Sequence, residues 1–311
     1  FFNYKGDIKM CGFLVVGSEE FELQVFQKAL DKAAYRGPDY QHVSIDHGIT
    51  WGFNRLSIMD LSTNGNQPFV YKDYTLVCNG EIYNYPALKT KLESSYTFKS
   101  GSDCEVLIPL YEQYGLEILC KYLDAEFALV LYDNKTKQLM AARDPMGIRP
   151  MFYGYSKEHQ ICFASEAKAL FDLCDDIMPF PPGHYYLDGQ FVCYNDLSDP
   201  KTIVDDDLET IAGKLKTKLE KAVEKRFMSD APIGYLLSGG LDSSLVCAIG
   251  QKLSDKPIRT FAIGMESDPI DLKYAKQVAD YLGTEHTEVI MNKEDLYQHL
   301  KEVIYHLETF D

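Results

Sequence analysis

The chain has 311 residues, of which 47 are acidic and 31 basic, giving a formal net charge of −16, and 46% are hydrophobic. That length suggests about two domains of ordinary size, and the apolar fraction excludes wholesale disorder. The acidic excess repels phosphate backbones and argues against nucleic acid as the main partner. The longest apolar runs, such as Phe127–Tyr132, fall far short of the ~20 residues that span a bilayer. No basic segment followed by an apolar stretch opens the chain, so nothing marks it for secretion. Eight scattered cysteines without a C-x-x-C pair read as reduced thiols of a cytoplasmic protein, and the seven histidines show no zinc-ligand spacing.

Residue 1 is Phe, and the first plausible initiator is Met10, directly before Cys11. Residues 1–10 are therefore expected to be an upstream leader. From Cys11 to about Asn195 short strand-like runs dominate: Gly12–Val16, Leu76–Cys78, Phe127–Tyr132, Leu139–Ala142 and Ile161–Ala164. Leu23, Phe26, Leu30 and Ala33–Ala34 fall on one helical face, which Gly37-Pro38 ends. Ser102-Asp103-Cys104-Glu105 reads as a capping box opening a second helix through Val106, Leu107, Leu110 and Tyr114, with Pro109 expected to kink or shorten it. Strands in runs with few helices predict an α+β layered domain over residues 11–195.

Ser198–Asp207 is polar and unpatterned and reads as a linker. Beyond it the rhythm changes to helix (Leu208 to Phe227), strand (Ile233–Leu237), helix (Ser243–Leu253), strand (Ile258–Ile263), helix (Leu272–Leu282, ended by Gly283), strand (His286–Met291) and a last helix. That alternation predicts βαβ units and a parallel sheet over residues 205–311, short for a complete doubly wound domain. The chain stops at Asp311 straight after a helical pattern, so a fragment is expected.

Leu237-Ser238-Gly239-Gly240-Leu241-Asp242-Ser243-Ser244 follows an apolar strand and opens a helix. Glycines there let the backbone approach an anion, and the helix start and serine hydroxyls can hold phosphate. No Lys follows the glycines, which excludes the G-x-x-x-x-G-K-[ST] loop. The segment resembles the pyrophosphate loop of ATP pyrophosphatases, which cleave ATP to AMP and pyrophosphate. By that resemblance Asp242 would be a magnesium ligand; on the residues alone it could equally be an N-cap.

Met10-Cys11-Gly12-Phe13 places a cysteine where removal of Met10 and everything before it would make it N-terminal. Its own α-amine would then lie within reach as a base, and the thiolate is the nucleophilic form. Downstream come Arg36-Gly37-Pro38-Asp39, Arg55-Leu56-Ser57-Ile58-Met59, Asn79-Gly80-Glu81-Ile82-Tyr83-Asn84 and Gly101-Ser102-Asp103. In this order, with the cysteine, they resemble class II glutamine amidotransferases, whose fold is the N-terminal-nucleophile αββα sandwich. The resemblance implies that Cys11 is the nucleophile, that Asn79 and Gly80 form the oxyanion hole, and that Arg55 pairs the α-carboxylate of glutamine. It puts Asp103 on the α-ammonium, with Leu56, Ser57, Ile58, Met59 and Glu81 completing the glutamine site.

Joined to the pyrophosphate loop, the match narrows to the glutamine-hydrolysing asparagine synthetases. Arg143-Asp144…Gly147, Ser165-Glu166-Ala167-Lys168, Pro181-Pro182-Gly183, Phe261-Ala262-Ile263-Gly264 with Asp271-Leu272, and Glu308-Thr309-Phe310-Asp311 also fit. The resemblance implies glutamine, aspartate and ATP as substrates, Mg2+ as the metal and homodimers. It sets Leu237 and Ile263 at the adenine and Ser238, Gly239, Gly240, Asp242, Ser243 and Ser244 at the phosphates. The alternatives are a related amidotransferase with a different carboxylate acceptor and a non-catalytic fragment.

Overall fold

The computed structural model describes residues 10–18, 22–267 and 269–308. The expected leader apart from Met10, and the terminal Thr309–Asp311, lie outside the described residues. Two compact units divide the chain, Phe2–Ile203 and Val204–Asp311, and the division falls inside the polar Ser198–Asp207 stretch.

The first unit is built on two six-stranded antiparallel sheets. One contains β1 (Gly12–Val16), β2 (Tyr40–Asp46), β3 (Ile49–Arg55), β8 (Phe152–Tyr155), β9 (Ile161–Ala164) and β10 (Ile177–Pro179). Its order is β10-β8-β9-β1-β3-β2, with β1 central. The other contains β4 (Phe69–Tyr71), β5 (Tyr74–Ile82), β6 (Ala125–Asp133), β7 (Gln138–Arg143), β11 (His184–Leu187) and β12 (Gln190–Cys193), in the order β12-β11-β7-β6-β5-β4. Helices α1 (Leu23–Asp31), α2 (Tyr85–Leu92) and α3 (Leu107–Tyr122) complete the unit.

The two-residue period of a strand explains the layering. On β6, Ala128, Val130 and Tyr132 face β1 and β3, packing with Phe13, Val15, Trp51 and Phe53. The alternate residues Phe127, Leu129 and Leu131 face Leu88, Leu92, Leu107 and Leu119 of α2 and α3. On β1 the same alternation sends Leu14 and Val16 towards Phe26 and Leu30 of α1. The result is helix, sheet, sheet, helix: an αββα sandwich whose central strands β1, β3 and β6 are buried on both faces.

Several local expectations change. Strands β2 and β3 were not legible as apolar runs; their hairpin is made by His47 and Gly48, both at positive φ (52° and 77°), as a two-residue turn of this kind requires. α1 ends at Asp31, and Ala33–Ala34 belong to the following turn. Ser102 makes no side-chain cap, so the expected capping box is absent. Glu105 instead accepts from Tyr96 Oη, the backbone N–H groups of Lys99 and Ser100, and Ser100 Oγ. Pro109 lies in the first turn of α3, where its missing N–H has no helical partner to lose. The break in that helix is at Gly115, with φ 75°.

In the second unit, α4 (Leu208–Glu224), β13 (Gly234–Leu236), α5 (Leu241–Leu253), β14 (Arg259–Met265), α6 (Ile270–Leu282), β15 (Glu285–Met291) and α7 (Lys293–Leu307) alternate. Strands β13, β14 and β15 pair in parallel in that order. Leu237, Cys247, Ile258, Ala262, Leu272, Ala275 and Ala279 form the core. Gly283 caps α6 in the left-handed conformation, and Asn292 with Asp295 makes a true capping box for α7. Among the described residues, no helix is long and apolar enough to cross a membrane.

Truncating Leu129, fully buried on β6, removes packing between the second sheet and its helices. Leu129→Ala should lower the stability of the first unit by about 2–5 kcal/mol. The fluorescence of Trp51, the chain's single tryptophan and fully buried in this unit, reports the shift in urea midpoint.

Candidate active site

Cys11 lies half-buried just before β1, packed against the core between the two sheets. Its Sγ accepts from the backbone N–H of Leu56 at 3.3 Å and donates to Leu56 O at 3.4 Å. Burial pushes the thiol up to about 11 from its ordinary value; the Leu56 N–H and the guanidinium groups of Arg149 and Arg55 pull it down, and Glu81 pushes it up. In a chain in which Cys11 is preceded by Met10, the thiol is therefore protonated at neutral pH.

Three of the sequence segments hold this position. Arg36 Nε donates to Cys11 O at 3.0 Å, and its Nη1 reaches Glu166 at 3.0 Å. Ser165 and Phe13 exchange two bonds, Phe13 N to Ser165 Oγ and Ser165 N to Phe13 O. Gly37 is required by a close approach: a Cβ there would sit 2.3 Å from the backbone carbonyl of Asn54. Asp39 accepts from Ser57 N at 2.8 Å, which ties the Arg36–Asp39 turn to the Leu56–Met59 loop.

Arg55 ends β3, 4% exposed. Its Nη1 donates to Ser62 O at 2.7 Å and Asn66 Oδ1 at 2.6 Å, and its Nη2 donates to Met59 O and Asp60 O. The fork thus closes the loop carrying Leu56, Ser57, Ile58 and Met59. Asp60 Oδ2 carries that loop across to Gly101 N at 2.8 Å.

Asn79 and Gly80 lie on β5, opposite Ala128 and Phe127 of β6. Asn79 is 1% exposed, and its Nδ2 has no hydrogen-bond partner, although a buried unpaired donor costs about 1–3 kcal/mol. Gly80 packs so close to β6 that a Cβ would meet Glu126 O and Phe127 Cβ at 2.9 Å. Asp103 accepts from Ile82 N at 2.6 Å. Burial raises its carboxyl to about 6, opposed by the backbone N–H groups of Ile82 and Cys104. Glu81 rises to about 8 through burial and then the Asp103 carboxylate, with Arg149 opposing.

The sequence motifs did not single out three further residues. Gln67 clamps the residue before Asn79, accepting from Cys78 N at 2.6 Å and donating to Cys78 O at 3.1 Å. It does so where β5 runs beyond its pairing with the short β4. Arg149 is 7% exposed and lies 3.5 Å from Glu126 and 3.8 Å from Glu81. A buried Arg and a partly buried Glu this far apart in sequence carry no pattern, so only the fold reveals them. The site thus combines a thiol, an unpartnered amide donor and the carboxyl groups of Glu81, Asp103 and Glu126 with the guanidinium groups of Arg149, Arg55 and Arg36.

In the second unit, Ser238–Ser244 joins β13 to α5. Ser238 and Ser243 hydroxyls bond each other at 3.0 Å, and Ser244 Oγ is buried without a partner. The N-cap of α5 is Gly240, so Asp242 lies exposed in the first turn and the N-cap alternative for it falls. Leu237 is fully buried, whereas Ile263 is 58% exposed. Among the described residues, no three His, Cys, Asp or Glu could hold a metal ion. Asp242 with nucleotide phosphates still fits Mg2+, which is bound through one or two carboxylates plus substrate phosphates.

Residues 10–216 match the model of the glutamine amidotransferase domain, and residues 214–311 match that of asparagine synthase. Asparagine synthetase [glutamine-hydrolyzing] 2 of Arabidopsis thaliana is 40% identical over 321 residues, covering 97% of this chain and 54% of the relative. Asparagine synthetase B of Escherichia coli K12 is 36% identical over 327 residues, covering 97% and 58%. The chain spans about half the length of the curated relatives it matches. Glutamine phosphoribosylpyrophosphate amidotransferase from B. subtilis shares the fold with a TM-score of 0.50 at 17% identity, covering 89% of this chain and 65% of that chain. The allosteric regulatory enzyme of purine biosynthesis does so at 0.51 and 15%, covering 91% and 80%.

Two expectations follow. Gly239 has φ +79°, and a Cβ there would lie 2.5 Å from Tyr274 Cβ and Ala275 N, whereas Gly240 has φ −70° and meets only Ser238 Oγ at 3.4 Å. Gly239→Ala should destabilise the second unit by about 2 kcal/mol or more, and Gly240→Ala by about 0.5 kcal/mol or less, read by hydrogen exchange in α5 and α6. Glu81, raised from 4.5 to about 8, binds its proton more tightly folded than unfolded. The stability it contributes is complete below pH 4.5 and is lost as pH rises towards 8. Trp51-monitored urea unfolding should therefore weaken between pH 5 and 8 by on the order of 1 kcal/mol more than in Glu81→Gln.

Proposed function

Because the chain belongs to the glutamine amidotransferase domain family, we propose that Cys11 is the nucleophile that releases ammonia from glutamine. The unpartnered Nδ2 of buried Asn79 carries this reading, since a donor with no protein acceptor is placed for an oxyanion that forms only during reaction. In a chain that begins at Cys11, the free α-amine takes the thiol proton. The thiolate attacks the carboxamide carbon, and the oxyanion rests on Asn79 Nδ2 and the Gly80 N–H. Collapse expels ammonia, which leaves with the proton, and water hydrolyses the γ-glutamyl thioester to glutamate.

Asp103 holds the α-ammonium of glutamine in this reading, with Glu81 completing the glutamine site. Arg55 takes the α-carboxylate by exchanging one of its loop carbonyls for it, so glutamine binding and the ordering of Leu56–Met59 are coupled. Residues 11–195 make up the glutaminase domain and residues 205–311 the N-terminal part of an ATP-pyrophosphatase-type synthetase domain.

In the whole protein, the ammonia goes to aspartate activated as its acyl-adenylate, giving asparagine, AMP and pyrophosphate. The match of residues 214–311 to asparagine synthase and the buried, unpartnered Ser244 Oγ in the loop support this half. Ser238, Gly239, Gly240, Ser243 and Ser244 would hold the phosphates, Leu237 and Ile263 would border the adenine, and Asp242 would share Mg2+ with the phosphates. The Mg2+ would neutralise phosphate charge. The protein works in the cytoplasm as a homodimer in this reading.

The test is glutaminase activity of protein beginning at Cys11, measured as glutamate and ammonia. Cys11→Ala should lower it by roughly 10³-fold or more, while ammonia-dependent synthesis by the whole protein persists. Glutaminase activity that survives the substitution would overturn the assignment.

A further inference from the structure

Arg149 belongs to none of the segments that carry the resemblance, yet it lies against Glu126, Glu81 and the residue before Cys11. It follows Gly147 (φ 66°) in the turn after β7. That turn is fixed from several sides: Asp144 accepts from Met146, Ile148 and Arg149 backbone N–H groups, and Arg143 donates to Gly147 O and Arg149 O at 2.8 Å. The guanidinium is therefore delivered by rigid backbone into a buried position. Its Nη2 lies 3.5 Å from Glu126 and 3.8 Å from Glu81, and its Nη1 lies 2.7 Å from Sδ of Met10, the residue before Cys11. Its Nε is buried without a partner.

A guanidinium placed only to neutralise two carboxylates would present both edges to them. Here Nη2 faces both carboxylates, while Nη1 lies against the side chain of Met10, the residue that precedes the thiol. The groups around Cys11 come from every neighbouring element: Glu81 from β5, Arg55 from β3, Arg149 from the turn after β7, and Arg36, which holds the Cys11 carbonyl. Arg36 is paired with Glu166 and Arg55 is closed on loop carbonyls. Glu126 is in turn held by the Tyr83 hydroxyl.

We propose that Arg149 is a positioning residue that supplies the fixed positive charge on which the Cys11 thiolate depends, with Glu126 setting how much of that charge reaches the thiol. The inference rests on the reading of Cys11 as nucleophile. It adds a second device to the α-amine: the amine removes the proton, and Arg149 stabilises the anion left behind. Burial works against the guanidinium charge, and Glu126, Glu81 and Cys11 in that order support it.

The test follows alkylation of Cys11 by iodoacetamide at fixed pH near 8 on the whole chain, with the Cys11 peptide quantified by mass spectrometry. Exposed Cys193 serves as internal reference. An opposite charge within ~4–6 Å lowers a pKa by one unit or more, so Arg149→Met should slow Cys11 alkylation about tenfold, and Arg149→Lys should restore most of the rate. Glu126→Gln should act in the opposite direction and speed it severalfold, which keeps the proposal testable if Arg149→Met fails to fold. On protein beginning at Cys11, the acidic limb of the kcat/KM profile for glutamine should move to higher pH in Arg149→Met.

Equal slowing in Arg149→Met and Arg149→Lys would reveal a packing role and overturn the proposal. So would Arg149→Met and Glu126→Gln rates within twofold of the native chain. Alkylation reads the thiolate directly, so its outcome is independent of whether Cys11→Ala abolishes glutaminase activity.

Discussion

A thiol held between two facing β-sheets sets the terms for everything near it. In that dry interior an unpaired charge costs several kcal/mol and an unpaired donor about 1–3. The surroundings of Cys11 answer with fixed partners. Leu56 offers both its N–H and its carbonyl to Sγ, Arg36 holds the Cys11 carbonyl, and Ser165 matches Phe13 on the other side. What is left unpaired is therefore informative. Asn79 Nδ2, Arg149 Nε and Arg36 Nη2 are buried donors near Cys11 that remain without acceptors.

The electrostatics follow from the same dehydration. Glu81, Asp103 and Cys11 all rise in pKa because burial favours their neutral forms, and each is opposed by a particular group: Arg149 for Glu81, backbone N–H groups for Asp103, and Leu56 N–H for Cys11. Rigidity comes from close backbone approach as much as from hydrogen bonds. Gly37 against Asn54, and Gly80 against Glu126 and Phe127, leave no room for a Cβ. These contacts hold the turn before β2 and the strand bearing Asn79 at short distances that side chains would prop apart.

The second unit uses different physics. Its three parallel strands bury one small core, and its loop is shaped by a single left-handed glycine, Gly239, lying against the backbone of α6. The neighbouring Gly240 has an ordinary φ and open space and serves as the N-cap of α5. Ser244 Oγ, in the first turn of α5, is buried and unpartnered.

Residue order alone determined the elements that are locally consistent. The buried runs of β1, β6 and β9, the alternation of helix and strand after residue 207, and the glycine-rich turn before α5 each declare themselves within about ten residues. The motif segments were equally legible as residues, from Arg36–Asp39 to Asn79–Asn84. What they do was not. That Arg55 closes a loop, that Glu105 gathers four donors instead of capping, and that Gln67 stands in for a missing strand partner are facts of how nearby irregular segments fold back on themselves, which no helix or strand period encodes. The tertiary structure alone decided which buried charges face Cys11. Glu126 and Arg149 sit at no telling spacing, and only the register of β5 on β6 and the turn fixed by Asp144 bring them together. Local pattern reports how a segment pairs its own backbone; Coulomb energy depends on distances through space, and those exist only once the sheets have closed on one another.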